Sequence, residues 1–390
     1  MEFKSVRTFR AFIGCVFCFA LLGAAHAQVP DLLNAFEATG RNLGLGSGIG
    51  ATSSNPASAI NNPAGLGYAN KAAFSVTMRN MPETTSKLSR NFVSPDISTT
   101  GKSGNYSITQ VGLIRPMRGN SAIGLNYSVA GYIRDFASGT GLIDGGTILN
   151  NFQEDMRLKT DLFTLSWGQA SRDYTKSYGV GVIFANHGTR NRQQYALFDN
   201  NGTPGDTGDD TFISNVFLNN SGTQSGIGVV AGIQFNPNAD FSYGVSLRSP
   251  ITLSGGGEVA DYYKRVPGKA SFAAAKRIQT ARRAEDFVLI GGQVDWFFGG
   301  KRSTLVDRDG SQLGFGFGAE YNYRFRGAFV PIRMGYRNVA KGGDGFGSFN
   351  AFTFGLGYNP DQQNFGIDLD FSSNSRGGTD MALMLSYRFK

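Results

Sequence analysis

The strongest constraint in this sequence is a two-residue rhythm. From residue 72 onward the chain runs in segments of about ten residues in which every second residue is apolar, separated by turn residues. Ile123, Leu125, Tyr127, Val129 and Ile133 point one way, while Gly124, Asn126, Ser128, Ala130, Tyr132 and Arg134 point the other. Ile227, Val229, Ala231, Ile233 and Phe235 alternate with Gly228, Val230, Gly232 and Gln234. Leu313, Phe315, Phe317, Ala319, Tyr321, Tyr323 and Phe325 alternate with Gly314, Gly316, Gly318, Glu320, Asn322 and Arg324. Side chains on a strand alternate faces with period two, so each segment is a strand with one greasy face. The expected strands are 72–80, 103–115, 120–134, 155–168, 177–190, 226–235, 240–256, 268–279, 285–297, 312–325, 328–338, 349–359, 363–373 and 379–389. The eighth, with Ala270–Arg277 at its centre, reads equally as a short helix; an even strand number favours the strand.

About fourteen one-sided strands exceed the seven to nine of a soluble sandwich. A barrel in lipid uses all of them, with apolar side chains out, polar side chains in and no open edge. The connections agree. Those after odd strands are long (81–102, 135–154, 191–225, 298–311, 339–348) and those after even strands are short, as at Arg326–Gly327. Composition excludes the competitors. Of 390 residues 54 are Gly, 32 Phe and 15 Tyr, and 17% are charged, which is too aromatic for disorder and, with 12 Pro, too poor in proline for collagen. Beyond residue 23 there is no apolar run of the ~18 residues a membrane helix needs. The expected fold class is all-β: a closed antiparallel transmembrane β-barrel of about fourteen strands.

Residues 1–27 read as an export signal. Lys4, Arg7 and Arg10 precede the apolar stretch Ala11–Gly23, and Ala25-His26-Ala27 is a small-x-small cleavage site. Cys15 and Cys18 both lie in this leader, so the processed chain has no disulfide, thiolate metal site or Cys nucleophile. Net charge is +8, and the leader, three cations against Glu2, leaves +6 beyond it. The cations are scattered, without the blocks that bind nucleic acid. An exported basic chain meets anionic lipid headgroups or anionic solutes instead.

Residues 28–71 are small and polar, with Gly44, Gly46, Gly48 and Gly50 in close succession. Three stretches carry a resemblance. Ser54–Leu66 ends in Asn62-Pro63-Ala64-Gly65-Leu66; Tyr243–Pro250 reads YGVSLRSP; Ile332–Tyr336 and Phe354–Tyr358 are glycine-bearing strands near the C-terminus. In these the chain resembles the outer-membrane long-chain fatty acid and hydrophobic-compound transporter family of the FadL/TodX type. The match is loose over the whole processed chain and most specific at Asn62–Leu66. Leu247 stands where members usually have Tyr.

The resemblance implies a monomeric barrel at 72–390 whose lumen holds an N-terminal hatch at 28–71, gated around Asn62, Pro63, Ala64, Gly65 and Leu66. It implies passive uptake of long-chain fatty acids or other hydrophobic compounds across the bacterial outer membrane, with lipid and a hydrophobic ligand as partners. The second reading is a scaffold or secretion-partner barrel of the PorV kind, without small-molecule transport. Arg134, Arg248 and Arg333 face inward and are the candidates to greet a carboxylate; such residues also pair with inward acids such as Glu320, Asp368 and Asp370.

Other motifs carry little chemistry. Gly44–Gly48 and Thr100–Ser103 lack the context of a phosphate loop. Asp199–Asp210 has the oxygens Ca²⁺ takes but not the glycine spacing of an EF-hand, and reads as a solvated outer loop. His187 is the lone histidine after the leader, a polar wall residue rather than part of a metal cluster or a Ser–His pair. The expectation is therefore no enzyme, no cofactor and no nucleic-acid partner.

Overall fold

The computed structural model describes residues 40–81, 105–139, 142–144, 147–199, 201–202, 208–256, 263–280, 285–302, 309–340, 348–360, 364–374 and 379–389. Residues 1–39, with the expected export signal and the start of the expected hatch, lie outside the described residues.

The barrel strands in chain order are β1 (Ala73–Met81), β2 (Asn105–Met117), β3 (Ser121–Gly139), β4 (Thr147–Ala170), β5 (Lys176–Asp199), β6 (Thr211–Asn238) and β7 (Phe241–Arg248). They continue with β8 (Gly268–Gln279), β9 (Phe287–Arg302), β10 (Asp309–Phe325), β11 (Ala328–Val339), β12 (Phe349–Pro360), β13 (Phe365–Asn374) and β14 (Thr379–Arg388). Each pairs antiparallel with its sequence neighbours, and β1 pairs with both β2 and β14, closing a 14-strand barrel. Closure is what allows a sheet to sit in lipid, because every backbone donor finds a partner.

The alternation has the expected sense. Leu125, Leu165, Val182, Val229, Leu247, Phe272, Phe317 and Phe352 are all exposed on the outer surface. A soluble monomer rarely shows apolar patches beyond a few hundred Å². A surface this greasy all round belongs in hydrocarbon. Among the described residues no helix is long and apolar enough to cross a membrane; strands do the crossing.

The eighth segment is a strand in register with β7 and β9, as the even strand number favoured. Three readings need correction. The stretches 135–154 and 191–225, expected as long loops, are mostly strand, since β4, β5 and β6 run for 24, 24 and 28 residues. Apolar alternation marks where lipid ends, whereas a hydrogen-bonded hairpin continues into water with its donors still paired. The seventh strand stops at Arg248, just before Pro250, which has no N–H to give the ladder, and resumes only as Ile251–Thr252 and Ser254–Gly256. Lastly, Val129 is buried rather than lipid-facing. A register shift between Val129 and Gly131 turns the upper part of β3 by one residue.

Candidate functional site

Residues 40–72 fill the interior. They form short helical pieces only: α1 (Gly40–Gly44), α2 (Ser58–Asn61) and single 3-10 turns at Gly50–Thr52 and Pro63–Tyr68. Short-range backbone bonds such as Leu45 N to Arg41 O and Asn62 N to Ser58 O hold these turns, and side chains of the wall supply further partners. Ser166 Oγ donates to the Ala59 carbonyl and Ser177 Oγ to the Ala64 carbonyl, each at 2.6 Å. Thr353 Oγ1 donates to Gly44 O at 2.9 Å, and Gln293 Oε1 accepts from Ala51 N at 3.0 Å.

Asn62 is the centre of this seat. Its Nδ2 donates to Ala51 O at 2.7 Å and Ile233 O at 3.3 Å, and its Oδ1 accepts from Ala64 N at 3.1 Å. It thereby caps the turn that starts at Pro63, whose missing N–H would have had no partner there. Leu66 is fully buried among Ala59, Ile114 and Ala122. Gly65 packs directly on Ser53, leaving no room for a side chain. The five residues Asn62 to Leu66 thus come together as one seated unit against the wall.

The wall glycines have a specific task here. A Cβ on Gly318 would stand 2.5 Å from Leu45 O, and one on Gly335 2.5 Å from the Leu45 carbonyl carbon. A Cβ on Gly179 would collide with Pro63, and one on Gly244 with Ala51 O. Glycines on several strands let the plug backbone lie flat on the sheet.

Among the described residues one ion pair joins plug to wall. Arg41 is the only charged residue in 40–70. It holds Glu320 on β10 with two bonds, Nε to Oε2 at 2.9 Å and Nη2 to Oε1 at 2.7 Å. Arg333 on β11 bonds the same carboxylate at 2.6 Å, Asp368 at 2.6 Å and Asp370 at 3.4 Å. Sequence reasoning missed Arg41, although a lone charge between residues 40 and 70 was a readable signal.

Higher in the lumen the inward face becomes apolar. Leu158 and Leu162 on β4, Ile183 and Ala185 on β5 and Val230 on β6 pack with Ala130, with Ile251, Leu253 and Val266, and with Ile60 of the plug. Beside this cluster the wall ladder is interrupted. β2 and β3 pair only from Gln110↔Ser128 downward, and no described pairing joins residues 105–109 to β3. The register shift in β3 begins at this level, with Ala130 inside it.

No family model matches the chain, and no curated protein matches it. Solved structures do. A Pseudomonas aeruginosa FadL homologue aligns over 93% of this chain and 100% of its own, at 15% identity and a TM-score of 0.61. The toluene transporter TodX of Pseudomonas putida aligns over 93% and 99%, at 13% identity and 0.59. The toluene transporter TbuX of Ralstonia pickettii aligns over 90% and 98%, at 13% and 0.58. The chain has the FadL/TodX fold.

In this FadL-type barrel the three expected carboxylate-binding arginines part company. Arg333 is buried and engaged by three carboxylates. Arg248, also buried, donates to Pro267 O at 3.4 Å and lies opposite Val230 of the apolar cluster. The side chain of Arg134 lies outside the described residues, but its backbone pairs opposite Arg157, so the register shift in β3 moves this position from the expected inward face to the outward one. His187 is buried in the β5 wall with Nδ1 2.8 Å from Thr160 Oγ1. Of the Asp199–Asp210 loop, residues 200 and 203–207 lie outside the described residues; Asn201 closes it by bonding Asp209 O and Thr211 Oγ1. Among the described residues no group of three His, Cys, Asp or Glu could hold a metal ion.

Two groups at the short-turn end have shifted acidities. Burial, and secondarily the charge of Asp173, pushes the Tyr68 hydroxyl up to about 12. Hydrogen bonds from Ser171, then Thr175, hold the Asp173 carboxyl down at about 2. Both groups line a cavity of about 510 Å³ between the underside of the plug and the turns after β4 and β6.

Proposed function

We propose that the protein is a passive channel for hydrophobic compounds in the bacterial outer membrane, working as a monomer without enzymatic activity. The observation that carries this is the apolar cluster inside the barrel, set beside the interrupted ladder between β2 and β3. A water-filled pore has no use for Leu158, Leu162, Ile183 and Val230 turned inward. An apolar solute gains ~25 cal/mol per Å² of surface kept from water against such a lining. With the lumen below closed by the seated plug, the break beside Ala130 is the way out, sideways into the bilayer.

For a long-chain fatty acid the headgroup partner in this reading is Arg248, next to Val230 on the same face. Arg333 is satisfied by its three acids. Residues 28–71 act as the hatch and Asn62–Leu66 as its seat, with the loop at 199–210 as solvated chain rather than a Ca²⁺ site.

The test is uptake of labelled oleate and labelled toluene by cells that depend on this protein. Ile183→Asn should lower uptake of both, and Arg248→Gln should lower oleate alone. Unchanged uptake of both solutes in Ile183→Asn, with the barrel folded, would sink the proposal. A stoichiometric protein partner co-purifying with a ligand-free lumen would point instead to the secretion-partner scaffold.

A further inference from the structure

Resting on the reading of an outer-membrane barrel, we propose that the lipid-facing side of β4 and β5 binds the phosphorylated sugar headgroup of an outer-leaflet glycolipid. The site begins at a row of rings. Tyr127, Phe163 and Phe184 are direct cross-strand neighbours, with centroids 5.1 Å and 6.5 Å apart. On β4 and β5, Phe163 and Phe184 are the uppermost aromatic residues of the outward apolar band, where barrels place rings at the edge of the hydrocarbon.

Directly above, the same outward face turns basic. β4 presents Asp161, Lys159, Arg157 and Asp155; β5 presents Arg190 and Arg192. Arg157 bonds its own neighbour Asp155 at 2.9 Å, and Lys159 bonds Asp161 at 3.0 Å and the Tyr127 hydroxyl at 2.9 Å. Asp155 stands opposite Arg192 in the ladder, yet its carboxylate is held by Arg157, and Arg192 Nε reaches Asn219 Oδ1 at 3.4 Å. Among the described side chains of β4 and β5 here, four cations face two acids, a surplus of two positive charges.

The register makes this surplus costly. Arg157 stands directly opposite Arg190 in the antiparallel ladder. Like charges at opposed positions destabilise a strand pair. The arrangement is relieved by an anion that spans both guanidiniums, and two arginines forking onto one phosphate are the strong form of that contact.

Height selects the lipid. From Phe163 to Lys159 is about 13 Å along the strand, and to Arg157 about 20 Å. At a strand tilt of ~40° these become about 10 and 15 Å above the last ring. That is beyond acyl chains and level with a sugar-borne phosphate. The side chains face outward, away from the lumen, so a solute inside the channel does not reach them.

The experiment uses the purified, folded protein in neutral detergent and a fluorescent bisphosphorylated diglucosamine lipid. The native protein should bind it. Arg157→Gln/Arg190→Gln should weaken binding by about tenfold or more. Arg190→Gln alone, which removes the opposed charges and so should fold, should weaken it in part. The dephosphorylated lipid should bind poorly, and excess inorganic phosphate should leave the bound lipid in place. Equal binding by the double variant, equal binding of the dephosphorylated lipid, or displacement by inorganic phosphate would each overturn the assignment. Loss of oleate and toluene uptake in a protein that still binds the lipid would strike at the channel reading alone.

Discussion

Replacing Asn62 by Ala isolates what seats the plug. The substitution removes the bonds to Ala51 O, Ile233 O and Ala64 N. Ile233 lies within the strand ladder, so its loss is small. Ala64 N loses its cap, and Ala51 O, packed on Gly244, loses its donor. Leaving a buried polar group without a partner costs about 1–3 kcal/mol. Two such groups give about 3 kcal/mol at the lower half of that range, roughly a hundredfold in the ratio of seated to unseated plug. The readout uses the absence of cysteine beyond Cys18. A single Cys at Ala57, which is 2% exposed, is labelled by a maleimide only when the plug leaves its seat. Labelling in Asn62→Ala should run about a hundredfold faster than in the parent. Asn62→Asp should also be fast, because it keeps the acceptor for Ala64 N but cannot donate to Ala51 O. A rate within about twofold of the parent, with the barrel still showing its folded electrophoretic mobility, would refute the assignment of Asn62 as the seat.

The same thiol reports two further outcomes, and changes of pH report two more. Arg41→Ala should loosen the plug by about 1–2 kcal/mol, discounted for the partial exposure of Arg41, and should couple to Glu320→Gln in a double-mutant cycle. Strictly additive effects would show that the pair does not latch the plug. Gly318→Val should drive the plug off the wall, since its Cβ would meet the backbone of Leu45; slow labelling there would mean the wall yields instead. Tyr68 should titrate near pH 12. Its unfolded counterpart ionises near pH 10, so the native state binds the extra proton and loses stability as pH rises through 10 to 12. The difference in absorbance at 295 nm between the parent and Tyr68→Phe gives the midpoint, and a value near 10 would show the hydroxyl is not buried. Asp173, held down at about 2, stabilises the turn above the ordinary carboxylate range. That contribution fades as pH falls toward 2, and Asp173→Asn should flatten the acid limb of barrel unfolding.

The primary structure carried the barrel almost whole. Lipid imposes one chemical demand on every second residue, so Leu313, Phe315 and Phe317 declare their side, and the glycines between them declare the other. Short turns and even parity then order the strands with no further information. What the pattern could not carry is anything that depends on two distant segments meeting. Gly318 reads the same whether it faces water or the backbone of Leu45. Arg333 reads as a waiting cation until Glu320, Asp368 and Asp370 are brought beside it. Val230 was legible as a hydrophobe on the polar face, yet only its packing with Leu158, Ile183 and Ile251 makes it part of an apolar lining. The upper halves of β4 to β6 escaped because, above the membrane, hydrogen bonding keeps a strand while lipid no longer marks its faces. Periodicity records the solvent around each residue, and the sequence by itself therefore determined the barrel and its outer surface. The plug seat, the latch and the break in the wall are contacts across the closed sheet, and only the tertiary structure decided those.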